Sequence, residues 1–190
     1  PIPSGGSQPI LVNLGKPKLG TQSLISARFR GHSLTKSSLP NHQLSITFGS
    51  VHGEQLGSLT SWTGNSSRLF SLSTENINLN EGVNIFYVRN LSLDSDSYPY
   101  LDYFELRYGR ELNFDLNYEF QTPIPNQDLR LSFSGEKPSD ARLWNISDPA
   151  NIIGYEIDDE GFCNISSQVN DQNRYILFSE SNLNFIKDLT

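Results

Sequence analysis

The sequence predicts an all-β fold, a two-sheet antiparallel β-sandwich of jelly-roll type. Short runs of alternating apolar and polar residues recur along the chain, and clusters of Gly, Ser, Asn, Asp and Pro separate them. Amphipathic helical repeats are hard to find. About ten to twelve strands fit this pattern, and no Pro- or Ser-rich linker interrupts the interior, which favours one large sandwich over two small domains.

Each strand is predicted from the faces that its apolar residues occupy. Leu44, Ile46 and Phe48 alternate with polar residues and predict a half-buried strand. Residues 83–88 are apolar on both faces, which predicts a central strand that is covered on both sides. Residues 90–98 are rich in Asp and Ser and predict a loop. Further strands are predicted around residues 27–31, 68–72, 101–108, 112–118, 129–133, 141–145, 152–157, 162–165 and 175–178.

The beginning of the chain differs from the rest in composition. Residues 1–20 are rich in Pro and Gly, and we expect them to form a flexible or extended segment ahead of a single sandwich domain over 21–190. The first residues contain no initiator Met, charged n-region or apolar h-region. We therefore expect that any targeting signal has been removed, and that the sequence is a fragment of a longer protein.

Charge and hydropathy exclude two classes of partner. The chain carries 14 Lys and Arg against 21 Asp and Glu, a net charge of −7, so the basic footprint of a nucleic-acid binder is missing. The longest purely apolar run is about four residues, far short of the roughly 20 that cross a bilayer, so no membrane span is predicted. With 36% hydrophobic residues the chain can nevertheless bury a core.

Residues suited to nucleophilic catalysis are few. The single cysteine, Cys163, lies in a strand-like pattern, and we interpret it as a small buried hydrophobe rather than a reactive thiolate. The three histidines, His32, His42 and His52, have polar neighbours, and we interpret them as solvated. Phosphate-binding, zinc-peptidase and nucleophile-elbow motifs do not occur in the sequence. We assign no catalytic residue.

Two acidic turns and one tryptophan are the candidate binding residues. Asp94 with Asp96, and Asp158 with Asp159, offer carboxylates of the kind that bind calcium. Neither segment has the full spacing of a calcium loop, so a solvated turn is the preferred interpretation and calcium the alternative cofactor. Trp62 follows a polar segment. Packing over the sandwich edge is the preferred interpretation, and stacking on a sugar ring is the alternative.

Two segments carry the most specific pattern in the chain. The first, residues 100–112, reads YLDYFELRYGREL, and the second, residues 141–149, reads ARLWNISDP. The pair resembles the region just upstream of the caspase-like catalytic domain in gingipain-type cysteine peptidases of Bacteroidetes, including the type IX secretion sortase. There a strand of the form DYFExxYPR precedes a VWDVTDP segment. The present chain has Gly109 where proline is usual and Asn145 where aspartate is usual.

The resemblance implies a non-catalytic accessory domain that packs on and positions the peptidase domain of the same chain. In the family, the catalytic His-Gly segment and the nucleophilic Cys follow this region, and neither motif occurs in the present sequence. The resemblance also implies an exported protein at the cell surface, in the periplasm or outside the cell. The alternative from a different class is a carbohydrate-binding module or an adhesin-like surface domain, with a glycan as partner.

Within the two motifs we interpret the side chains as structural. Asp102 and Glu105 are expected on opposite faces of a strand, and Arg110 is expected to pair with an acid. Trp144 is expected to be mostly buried and to close one end of the sandwich. The Asp-Pro turn is expected to end its strand. The residues of this structural motif are Asp102, Tyr103, Phe104, Glu105, Arg110, Trp144, Asp148 and Pro149.

Overall fold

The computed structural model describes residues 1–33, 40–114, 118–122, 128–166 and 173–182. Within these ranges every regular element is a β-strand, apart from a 3-10 turn at Glu180–Asn182. All pairs of named strands are antiparallel. The all-β prediction is confirmed. No helix in the described ranges is long and apolar enough to span a membrane.

The chain divides into two compact units, where one domain over 21–190 was expected. Unit 1 is Pro1–Arg110 and unit 2 is Glu111–Thr190. Each unit contains its own hydrophobic cluster. No Pro-, Gly- or Ser-rich run lies at residue 110, so an argument from linkers has no signal for this boundary.

The described residues of unit 1 form seven strands in two sheets. The sheets have the orders β1-β6-β3-β4 and β5-β2-β7. Consecutive strands alternate between the sheets except at the β3–β4 hairpin, which is the jelly-roll-like arrangement that the sequence predicts. The strands are β1 (Ser7–Leu14), β2 (Ser23–Arg30), β3 (His42–Phe48), β4 (Gln55–Trp62), β5 (Ser67–Thr74), β6 (Gly82–Asn90) and β7 (Tyr100–Arg107).

The core of unit 1 lies between its two sheets, as in a β-sandwich. Alternate residues of β2 and β6 are fully buried, and the ring centroids of Phe86 on β6 and Phe104 on β7 are 5.0 Å apart across the sheets. β1 pairs along its whole length with β6, so residues 7–14 are an extended strand of the sandwich and not a segment ahead of it. Ile2, ahead of β1, is also buried.

Unit 2 is a smaller arrangement of two sheets. A four-stranded sheet has the order β11-β10-β13-β8, and β12 pairs with β9. Side chains from both sheets, including Leu143, Cys163 and Tyr175, form one buried cluster. The strands are β8 (Tyr118–Thr122), β9 (Leu129–Ser132), β10 (Ala141–Asn145), β11 (Ile153–Tyr155), β12 (Phe162–Ile165) and β13 (Asn173–Ser179).

Two differences from the predicted strands have simple causes. β4 is missed by the sequence because six of its eight residues are not buried, so the apolar alternation is lost. The strand predicted over 112–118 falls partly on residues 115–117, outside the described ranges. Asn113 forms an isolated bridge to Ser134 instead of starting a strand.

A buried polar network holds the loop that leads into β7. The Asn90 amide donates to the carbonyl oxygens of Ile2 at 2.9 Å and Ser97 at 3.0 Å. His42 Nε2 lies 2.9 Å from the carbonyl oxygen of Gly64, and its Nδ1 lies 2.8 Å from Ser97 Oγ. Because a carbonyl can only accept, Nε2 carries the proton and the Ser97 hydroxyl donates to Nδ1. The network therefore fixes the start of β7.

Candidate functional site

Trp62 is a core residue, so it is not available to stack on a ligand. It ends β4 with 6% of its surface exposed. Its ring lies 4.8 Å from that of His42 and is stacked at 6.4 Å on that of Phe29. Trp62 pairs with His42 across the β3–β4 ladder, which places both side chains on the inner face. The burial of Trp62 contradicts the alternative interpretation, in which this ring stacks on a sugar.

The histidines also separate into two environments. His32 and His52 are exposed, as expected. His42 is fully buried, which corrects the solvated interpretation. Its burial lowers the pKa of the imidazole below the usual value, while Asp94 and the bond to Gly64 act in the opposite direction.

Trp144 lies on the outer face of β10, where a buried end-cap was expected. It is 37% exposed and packs edge-to-face on Phe178, with ring centroids 4.6 Å apart. Its neighbours Leu143 and Asn145 point into the core of unit 2. Because side chains alternate along a strand, the burial of Leu143 places Trp144 outside. This motif residue is a surface aromatic.

The turn after β10 is formed as predicted. Asp148 Oδ1 accepts a hydrogen bond from the backbone N–H of Ala150 at 2.9 Å, and the Asp148 carbonyl accepts from Asn151 at 3.0 Å. Pro149 lies within the turn.

Residues 100–107 of the first motif form β7, which is an edge strand of the β5-β2-β7 sheet. Phe104 and Leu106 pack on the core of unit 1. Arg28 of β2 is opposite Tyr103, and Phe29 is opposite Leu101, so Asp102 is the extra residue of a β-bulge. The bulge changes the alternation, and Asp102 and Glu105 are both exposed rather than on opposite faces of a regular strand.

The last residues of the first motif contact the segment that follows β1. The backbone of Arg110 forms an isolated antiparallel β-bridge with that of Pro17, and the Arg110 guanidinium lies beside Gly15. A Cβ on Gly109 would lie 2.8 Å from the Cβ of Thr21, so glycine is required here by close packing. These contacts support the structural interpretation of Arg110 and Gly109.

The outer side of the β5-β2-β7 sheet is an exposed aromatic surface, which we call the tyrosine face. Arg28 and Arg30 are two residues apart on β2 and therefore share this side, and Tyr103 and Tyr100 are their partners on β7. Tyr100 is 43% exposed and Tyr103 is 42% exposed. Leu69 on β5 pairs with Arg28 and is also exposed.

Two ion pairs lie on the tyrosine face. Arg28 Nε lies 3.7 Å from Asp102 Oδ2, and Arg107 Nε lies 2.7 Å from Glu105 Oε1. Both pairs are half-exposed, so they contribute little to stability and mainly orient the side chains. The face therefore offers two aromatic rings among polar groups that can both donate and accept hydrogen bonds.

Sequence reasoning named Tyr103, Asp102 and Glu105 but assigned them a structural role. It missed Arg28 and Arg30. Exposed and buried residues alternate along β2, and Ile25, Ala27 and Phe29 face the core. This alternation places Arg28 and Arg30 on the opposite, outer side.

The two acidic turns use their first carboxylates to fold the backbone. Asp94 Oδ1 accepts from the N–H of Asp96 at 2.9 Å. Asp158 Oδ1 accepts from the N–H groups of Glu160 at 3.0 Å and Phe162 at 2.8 Å. Asp159 is exposed and lies 3.4 Å from the Lys137 ammonium. Among the described residues, no group of three or more His, Cys, Asp or Glu side chains is placed to hold a metal ion.

Cys163 is buried between the sheets of unit 2, with 1% of its surface exposed, as predicted. Burial, with a smaller contribution from the charge of Asp158, raises the pKa of the thiol to about 11. A nucleophilic thiol needs the opposite shift.

Comparison with known proteins adds little beyond this geometry. No protein-family model matches the chain, and no curated protein matches it. Among solved structures, the chain is similar to the N-terminal CBM22-1–CBM22-2 tandem domain of Xyn10C from Paenibacillus barcinonensis, a carbohydrate-binding module pair. The identity is 8%, the match covers 89% of this chain and 75% of that chain, and the TM-score is 0.31. A likeness at this level carries no functional argument, so the proposals below rest on the side chains.

Proposed function

We propose that the protein is a non-catalytic recognition module that binds carbohydrate through the tyrosine face. The observation that carries the proposal is the pair of half-exposed tyrosines, Tyr100 and Tyr103, which lie on the same outer side of a sandwich sheet. Burying an aromatic ring stabilises a fold far more than exposing it, so two exposed rings in one place indicate a binding surface.

The surroundings of the two tyrosines suit a polyhydroxylated ligand. A pyranose ring has an apolar C–H face that packs on an aromatic ring and a rim of hydroxyl groups that both donate and accept. Arg28 and Asp102 provide a donor and an acceptor beside Tyr103, and each already compensates the charge of the other. A neutral sugar can therefore bind without leaving a buried charge unpaired.

The absence of catalysis is part of the proposal. The proposal is supported by Cys163, the single cysteine in the sequence. Its side chain is buried and the pKa of its thiol is raised, so almost no thiolate forms at neutral pH. We expect no cysteine-dependent peptide cleavage by residues 1–190, and an activity lost on Cys163→Ala would contradict this.

Affinity electrophoresis of the full chain through gels that contain soluble neutral polysaccharides tests the binding site. We expect retardation by at least one polysaccharide, and we expect Tyr103→Ala and Tyr100→Ala each to weaken it. Tyr98→Ala is the matched control, because Tyr98 is 41% exposed but lies in the loop before β7. Unretarded wild-type protein, or equal retardation of all three variants, would overturn the proposal.

A second candidate function is the accessory role in a gingipain-type peptidase or secretion sortase. The observation that favours it is that the exposed aromatics Tyr100, Tyr103 and Trp144 all belong to the two motifs of the resemblance. Tyr, Trp and Arg are the residues that protein interfaces favour. In this proposal the exported protein uses these aromatics to dock its own peptidase domain.

The two functions are distinguished by the partner that the surface binds. The accessory role predicts a His-Gly…Cys peptidase segment after Thr190 in the full reading frame, and that segment is the binding partner for the experiment. Binding of that separately expressed domain to residues 1–190 should weaken in Tyr103→Ala and Trp144→Ala but not in Tyr98→Ala. A reading frame without a peptidase segment, or binding unaffected by these variants, would exclude the accessory role.

A further inference from the structure

Unit 2 contains a cleft that lies apart from the tyrosine face and includes only the first two residues of the second motif, Ala141 and Arg142. Its volume is about 670 Å³, within the range of about 300–1,000 Å³ that is typical of small-ligand sites. It is formed by the ends of β10 and β11, by β12 and by the connections between them. Its lining includes the side chains of Lys137, Ser139, Tyr155, Glu156, Phe162 and Asn164.

Two of the cations beside the cleft, Lys137 and Arg142, are already paired with carboxylates. Lys137 Nζ donates to the carbonyl oxygen of Ile157 at 2.7 Å and lies 3.4 Å from Asp159 Oδ1. Arg142 Nε lies 3.0 Å from Glu180 Oε1. Residues 111–190 carry five Lys and Arg against fourteen Asp and Glu, a net charge of −9. An anionic ligand would meet a repulsive field here.

Hydrogen-bonding capacity remains on three other side chains. The Ser139 hydroxyl, the Glu156 carboxylate and the Asn164 amide line the cleft, and none has a side-chain partner among the described residues. A hydroxyl and an amide both donate and accept, and a carboxylate accepts several hydrogen bonds. This set matches the hydroxyl groups of a neutral polyol.

The cleft also has aromatic walls. Tyr155 and Phe162 line it, and the guanidinium of Arg130 lies over the Phe162 ring, 4.0 Å from the centroid. The cation orients this ring, since such stacking is attractive. Aromatic walls with a few convergent polar groups are typical of ligand sites.

We propose that this cleft is a second carbohydrate site that takes a short, neutral stretch of a glycan. The ligand class rests on the proposed function, but the site and its residues are independent of the tyrosine face. Each unit of the chain then carries one site for this class of ligand.

The test is titration of the full chain with neutral β-glucan, xylan and mannan oligosaccharides, followed by backbone amide NMR. We expect a neutral oligosaccharide to shift the signals of Phe162 and Asn164. We expect Asn164→Ala and Glu156→Gln to weaken this binding about tenfold, as the loss of a hydrogen bond in a site does. Glu136→Gln is the control, because it removes an exposed carboxylate close in sequence but outside the cleft lining.

The charged counterpart is an oligosaccharide of polygalacturonate, which we expect to leave the Phe162 and Asn164 signals unchanged. Three results would overturn the proposal: no neutral oligosaccharide shifts these signals, the uronate shifts them equally, or the cleft variants bind like Glu136→Gln. Shifts confined to β7 would uphold the tyrosine face and overturn the cleft. Shifts confined to β12 and its neighbours would uphold the cleft and overturn the tyrosine face.

Discussion

Trp62 and His42 pack against each other in the core of unit 1, with ring centroids 4.8 Å apart. The contact joins the hydrophobic core to the hydrogen-bond network of His42. Trp62 is therefore the more deeply buried of the two tryptophans, since Trp144 is 37% exposed.

We predict that Trp62→Ala destabilises the protein by about 3–5 kcal/mol, the usual cost of truncating a buried aromatic side chain. Trp144→Ala should cost about 1 kcal/mol, since it removes mainly the edge-to-face contact with Phe178. Urea unfolding followed by circular dichroism measures both values. Equal midpoints for the two variants would contradict this assignment.

The indole nitrogen of Trp62 permits a finer test. Trp62 Nε1 is buried and has no hydrogen-bond partner among the described residues. Trp62→Phe should therefore cost much less than Trp62→Ala, because phenylalanine keeps most of the apolar contact and removes an unpaired donor. If Trp62→Phe destabilises as strongly as Trp62→Ala, the nitrogen has a partner.

His42 should make the stability of unit 1 depend on pH. Its pKa is lower in the folded protein than in the unfolded chain, so the unfolded chain binds more protons below the ordinary histidine value of about 6.5. The free energy of unfolding should be unaffected by His42 above that pH, and should fall as the pH decreases through the folded pKa. Urea midpoints between neutral and mildly acidic pH measure this loss.

The controls for this prediction are two histidine variants. His42→Gln should lower stability at neutral pH and remove this part of the pH dependence. His52→Gln should leave the pH dependence unchanged, because His52 is exposed in a turn. A pH dependence that survives in His42→Gln must come from carboxylates.

Cys163 should be unreactive in the folded protein. Burial hides the thiol, and with a pKa of about 11 nearly all of it remains protonated at pH 8. We expect no labelling by a thiol-specific disulfide reagent in buffer and one equivalent in denaturant. The thiol ionises first in the unfolded chain, so the thiol contribution to stability should decline as the pH rises from about 9 towards 11. Rapid labelling under native conditions would contradict the structure.

Gly31 should not tolerate a side chain. A Cβ at this position would clash with the carbonyl oxygen of Gly64 and would lie 2.6 Å from Trp62 Nε1 and 2.8 Å from His42 Nε2. The backbone of Gly64 and the two buried rings can move aside only at a cost in free energy, so Gly31→Ala should destabilise the protein by about 1–3 kcal/mol. Gly154→Ala is the matched control, because its Cβ would make ordinary contacts of 3.5 Å with Trp144. Equal thermal midpoints of the two variants would show that the core around Gly31 can yield.

Several features of this protein follow from the sequence by itself. Alternation locates β3, β6, β10 and β12 and the burial of Cys163, because period-two patterns depend only on which side chains share a face. The turn at Asp148 and Pro149 follows from local backbone chemistry, which needs no distant partner.

The tertiary structure alone decided which face of each strand is covered. Trp62 and Trp144 both lie on strands with alternating residues, but Trp62 is packed in the core between the sheets of unit 1, whereas Trp144 remains 37% exposed. The bulge at Asp102 depends on the pairing of β7 with β2 and brings Tyr100 and Tyr103 to one side. Alternation distinguishes two faces, whereas burial is decided by packing between strands far apart in the chain.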